Sequence, residues 1–139
     1  MAKRITQPVK QSLPGPDDIY RVTLSNGITV LARSSFDSPS ISMGGYLPAG
    51  AIFEKNEKLG LADFVSSSLM RGTQKRSFDA IYNELESVGA SMGFDSGVHN
   101  VSFGGRTLVE DLPLLLNLLS ESLRTPTFPT KEVEKLRAQ

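Results

Sequence analysis

The residues nearest to a reactive constellation are Asp63, Ser66, Ser67 and Ser68. They lie in the stretch Gly60-Leu-Ala-Asp-Phe-Val-Ser-Ser-Ser-Leu-Met-Arg-Gly-Thr73. A carboxylate and two hydroxyls at spacings of three and four could do one of two things. As hard oxygen ligands they could hold Mg²⁺ or Ca²⁺, and they would compete poorly for zinc. One carboxylate falls far short of a cage, however. As a nucleophile, any of the serines needs a general base, and His99 is the only histidine. No Gly-x-Ser-x-Gly elbow presents a serine. The plainer reading, a polar helix face, is preferred.

Other candidates are weaker. Gly44-Gly45 and Gly104-Gly105 lack the Lys-Ser/Thr or third glycine of a phosphate loop; close backbone packing or a bulge explains them better. Arg71, Lys75 and Arg76 form a small basic cluster. It could favour an acidic partner, but it reads more simply as a complement to a helix dipole plus a solvated linker.

Composition narrows the classes further. The chain has 139 residues, enough for one domain with a real core. Lys+Arg and Asp+Glu are both 15, so no charge excess points to nucleic acid or an anionic membrane. Cysteine is absent, which removes disulfides, thiolate metal sites and cysteine nucleophiles. No apolar run approaches the length of a membrane span. The N-terminus lacks the apolar core of a secretory signal. It is basic and free of acids before Asp17, but Pro8, Pro14 and Pro16 oppose the helix of an organelle presequence. Residues 1–19 are predicted to be an extended arm. The compartment expected is a bacterial cytoplasm, with an organelle matrix as the alternative.

The elements that must position these residues follow in order. Tyr20-Arg-Val-Thr-Leu24 and Ile28-Thr-Val-Leu-Ala-Arg33 alternate around Asn26-Gly27, a hairpin signal whose two central positions take positive φ. Residues 40–47 are predicted to be a third strand, loosened by its glycines. Residues 48–54 form a turn and connector, and residues 54–58 a solvated loop. In the serine-rich helix, Leu61, Val65 and Leu69 make an apolar stripe, and Gly72-Thr73 stops the helix through a left-handed cap. Ser77 caps a second helix with Phe78, Ile81, Leu85 and Val88 inward and Gly89 closing it. Residues 90–96 and 99–106 read as two antiparallel strands around Gly97. Leu112, Leu115, Leu116, Leu119 and Leu123 stripe a third helix opened by Pro113. Thr130 caps a fourth helix with Val133 and Leu136 inward.

With these residues in view, the chain resembles the pitrilysin/insulinase metallopeptidase superfamily. Mitochondrial processing peptidase and the core subunits of the respiratory cytochrome bc complex are also members. The frame Gly60, Ala62, Phe64, Leu69, Gly72 and Thr73 looks like the superfamily's active-site helix. Leu24-x-Asn-Gly-Ile-x-Val30 is similar to its first hairpin, and Ala49-Gly50 through Glu54 to the segment leading into that helix. In catalytic members the helix carries His-x-x-Glu-His, which binds zinc and activates water. The matching positions here are Asp63, Ser66 and Ser67. The resemblance therefore implies a degenerate motif, no catalytic residues and no cofactor, the zinc site being lost. The family's substrate-binding segment matches Gly93, Phe94, Asp95 and Ser96, of which only the Ser/Thr-like position is kept. The third zinc ligand of catalytic members would lie beyond Gln139.

The implied fold is α+β: an antiparallel sheet of about five strands with helices on one face, in the order ββ-β-αα-ββ-αα. Residues 20–139 are the N-terminal part of one such domain, cut short in its last helix. The leading expectation is a noncatalytic subunit that supports substrate binding or stability of a catalytic zinc-peptidase partner, with peptide as the substrate. A structural subunit without a role in proteolysis is the second reading. A hydrolase with a replaced site is the third. No nucleic acid and no membrane insertion are expected.

Overall fold

A computed structural model describes residues 16–34 and 37–138. Most of the expected N-terminal arm lies outside the described residues. The chain divides into two compact units, residues 1–38 and 39–139.

The described residues of the first unit hold a hairpin of β1 (Tyr20–Thr23) and β2 (Thr29–Ala32), paired in register from Tyr20↔Ala32 to Thr23↔Thr29. The turn differs from the two-residue form expected. Only Gly27 has a positive φ, at 87°, while Asn26 keeps a negative one. The Gly27 amide donates to the Leu24 carbonyl at 2.9 Å, and the Leu24 amide to that of Ile28 at 2.8 Å. This is a three-residue loop with glycine at the bulge. The Asn26 side chain stabilises it by accepting from the Ile28 amide at 3.1 Å.

In the second unit, β3 (Ser40–Leu47), β4 (Ser91–Ser96) and β5 (Val101–Leu108) form an antiparallel sheet in the order β3-β5-β4. Among the described residues there are thus five strands, but in a two-stranded and a three-stranded sheet, not one. Local alternation fixes each strand, whereas the joining of separate hairpins depends on non-local pairing that alternation does not encode. Gly44, Gly104 and Gly93 stand in one row across the three strands.

Among the described residues of this unit are four α-helices: α1 (Leu61–Ser68), α2 (Phe78–Ser87), α3 (Leu112–Arg124) and α4 (Thr130–Arg137). The core lies between the sheet and α2 and α3. Met70, Ile81, Leu85, Leu115 and Leu118 are buried there, with Met43, Met92 and Phe94 packed from the strands. Gly105 lets α3 sit close, since a Cβ there would lie 3.2 Å from Leu115 and 2.7 Å from the Ser91 carbonyl.

α2 follows its sequence signals. Ser77 accepts from the Ala80 amide at 3.2 Å. Gly89 turns left-handed at φ 63°, and the Ala90 amide reaches back to the Leu85 carbonyl at 2.8 Å. α3 is rotated relative to the stripe expected. Its buried face is Leu115, Leu118, Leu119 and Ser122, a run of i, i+3, i+4 and i+7, while Leu116 is exposed. Leucines on both sides of the helix left the phase ambiguous. α4 begins at Thr130 itself, so Thr130 is not its cap, and Val133 and Leu136 are half-buried.

Candidate functional site

The serine-rich helix is shorter than its sequence frame. α1 ends at Ser68, and the next turn tightens through Leu69 amide to Ser66 carbonyl and Arg71 amide to Ser68 carbonyl bonds. Gly72 does not cap it. With φ 149° it pairs with Ser77, and a Cβ on it would come within 3.0 Å of Pro129. Of the expected stripe of Leu61, Val65 and Leu69, only Leu69 is buried. Leu61 and Val65 are exposed, whereas Ser66, Ser68, Leu69 and Met70 are buried. α1 packs on β4 and α4 through a face that includes serines. Those serines are tolerated because their hydroxyls satisfy themselves locally. Ser66 donates to the Asp63 carbonyl at 2.9 Å, and Ser68 to the Phe64 carbonyl at 2.6 Å.

Ser66 is 3 % exposed, so its hydroxyl is committed to the helix backbone. Asp63 and Ser67 are exposed one turn apart. Asp63 accepts from the Ser96 hydroxyl at 3.2 Å. This bond joins the first turn of α1 to the end of β4, an outer strand of its sheet. Of the other β4 candidates, Phe94 packs its side chain into the core and Asp95 is exposed. A Cβ added at Gly93 would meet nothing within 4 Å. His99 lies in the turn between β4 and β5, not in a strand.

The start of α1 depends on a residue expected to lie in a solvated loop. Gly60, at φ 87°, has no side chain to cap the helix. Glu54 supplies the missing acceptor. One carboxylate oxygen accepts from the Gly60 amide at 2.8 Å and the other from the Ala62 amide at 2.6 Å. The signal was a glycine at the cap position with a carboxylate six residues upstream. Gly50 anchors the same connector. A Cβ there would lie 2.4 Å from the Val98 carbonyl, and the Ala51 and Ile52 amides bond to Gly97 and Val98.

The basic cluster is occupied internally. Arg76 donates to Glu84 at 2.8 Å and to Glu121 at 2.5 Å. Glu121 also accepts from Thr73, and Lys75 lies 3.8 Å away. The Arg76 hydrogen bond holds the buried Glu121 carboxyl below its ordinary value, against the cost of burial. The hydrogen bonds that Arg76 donates to Glu84 and Glu121 raise its own pKa. Arg71 pairs with Glu132 at 3.9 Å and lies over the Phe78 ring at 5.0 Å. Arg71 and Arg76 are therefore structural partners within the unit, and α1 ends too early for them to complement its dipole.

Comparison with known proteins decides the family. The insulinase (peptidase family M16) model matches residues 29–139. The chain belongs to the insulinase family. Among its M16 relatives, yeast (Saccharomyces cerevisiae) mitochondrial-processing peptidase subunit beta is 25 % identical over 97 % of this chain and 29 % of its own length. Bovine cytochrome b-c1 complex subunit 1, mitochondrial, is 27 % identical over 96 % of this chain and 28 % of its own. The fold matches a solved structure described as the peptidase M16 inactive domain from Pseudomonas fluorescens. That match has a TM-score of 0.79 and 23 % identity, over 87 % of this chain and 30 % of the other. This M16 chain thus spans under a third of the length of those relatives.

Proposed function

We propose that this insulinase-family chain is noncatalytic, and that it supports substrate binding by, or stability of, a partner that carries the zinc motif. The observation that carries the reading is the state of the three motif positions on α1. They hold one carboxylate, engaged by Ser96, and two hydroxyls, one of them buried and bonded to the helix backbone. Zinc of the inverted-motif type takes two imidazoles from one helix face, with a carboxylate beside them to activate water. The donor set here does not fit that ion. The only histidine, His99, lies in the β4–β5 turn.

A relative named as a subunit of the cytochrome b-c1 complex favours a second reading, a structural subunit of a larger assembly. Both readings leave α1 without chemistry. A serine nucleophile at Ser66 or Ser68 is disfavoured because both spend their hydroxyls on backbone carbonyls.

The test is metal content and peptide hydrolysis by the protein alone. After exposure to equimolar zinc and gel filtration, the protein is expected to retain no stoichiometric zinc and to cleave no extended peptide. One zinc per chain, together with cleavage abolished by chelator, would refute the noncatalytic reading.

A further inference from the structure

Glu54 sits at the junction of two anchored segments. On one side, the connector of residues 50–54 is tied to the β4–β5 turn. Gly50 abuts the backbone of residues 98–100, and the Ala51 and Ile52 amides donate to Gly97 and Val98 at 3.0 and 2.8 Å. On the other side, the Glu54 carboxylate straddles the start of α1 through the Gly60 and Ala62 amides. Asp63 then meets Ser96 at 3.2 Å. The path from Ser96 through the turn, the connector, Glu54 and the first turn of α1 returns to Ser96. It is a closed ring of bonds around the end of β4.

We propose that Glu54 is a positioning residue: it sets the height and rotation of α1 so that Asp63 is held on Ser96 beside the outer strand β4. The physical reason is reach. A left-handed glycine at the cap leaves the first-turn amides without a local acceptor, and a two-oxygen carboxylate fixes two of them at once. A single hydroxyl cap would fix one amide and leave the helix free to rotate about it. The meaning of this for peptide or partner contact at β4 rests on the functional reading above. The positioning itself does not.

The experiment is amide exchange and carboxyl NMR on the intact 139-residue protein. In the unaltered protein, the Gly60 and Ala62 amides are expected to exchange more slowly than Leu61 between them. In Glu54→Gln both are expected to speed up by on the order of tenfold, while Ile81 and Leu85 in the core stay protected. Ser96→Ala should shift the Asp63 carboxyl carbon in the unaltered background and leave it unmoved in the Glu54→Gln background, where Asp63 has already left Ser96. Equal shifts in both backgrounds would overturn the positioning role, as would unchanged Gly60 and Ala62 rates in Glu54→Gln. Should that variant fail to fold, the unaltered protein still decides: Gly60 and Ala62 exchanging as fast as Leu61 would overturn the clasp. No readout involves zinc or a partner, so this inference can fail while the functional proposal stands, and the reverse.

Discussion

Glu121 is a charge placed where charge is costly. It is 7 % exposed on the buried side of α3, and it persists because Arg76, Thr73 and Lys75 surround it. Removing one partner of such a pair strands the other. Arg76→Ala, which strands the buried Glu121 carboxylate, is therefore expected to cost about 3–5 kcal/mol in urea unfolding at neutral pH. Lys75→Ala, at an exposed ammonium, should stay within about 0.5 kcal/mol. The pH dependence has a definite sign. The carboxyl binds its proton less readily folded than unfolded, so its contribution is complete above the ordinary value of 4.5. It is lost as pH falls through the depressed folded value. Glu121→Gln should flatten the acid limb of the stability curve, and an unchanged limb would contradict this assignment. Little in the residue pattern warns of this, since a glutamate three residues from a buried leucine looks like any surface glutamate until Arg76 is found 45 residues away in the chain.

At the scale of elements, the two central helices differ in how far their sequence determines them. α2 carries a capping serine, one clean stripe and a terminal glycine, and all three act as their chemistry dictates. α3 carries leucines at 112, 114, 115, 116, 118, 119 and 123, so several stripes can be drawn and the packing partner chooses. The choice is set by Gly105, which admits Leu115 against the sheet. Leu118→Ala is accordingly expected to cost about 2–5 kcal/mol in chemical denaturation. Leu116→Ala should cost less than about 1 kcal/mol. Similar losses at both positions would place the buried face elsewhere. α1 was legible as a family signature but not as packing. Its exposed Leu61 and Val65 border a groove of about 500 Å³ with Phe53 and Ala49, and its buried residues are serines that close bonds within the helix. A pattern of apolar spacing cannot reveal a polar group that has satisfied itself. The same limit hid Glu54, whose acceptors' targets are backbone amides and leave no trace in side-chain periodicity.

At the scale of the whole molecule, the chain belongs to the insulinase family over residues 29–139, and the noncatalytic reading proposed above rests on the side chains that α1 carries. The fold matches that of a solved M16 domain with a TM-score of 0.79 over 87 % of this chain. What the frame does beyond folding depends on what it meets. Two of the relatives named above are subunits, one of the mitochondrial-processing peptidase and one of the cytochrome b-c1 complex. The noncatalytic reading becomes a function only if a partner supplies the chemistry. The most direct measurement is affinity purification of the protein from its own cells, with partners identified and counted by mass spectrometry. The expected result is a partner in fixed stoichiometry whose sequence carries His-x-x-Glu-His, with zinc-dependent peptidase activity in the pair. Recovery of the protein alone, with that activity intact, would contradict the account.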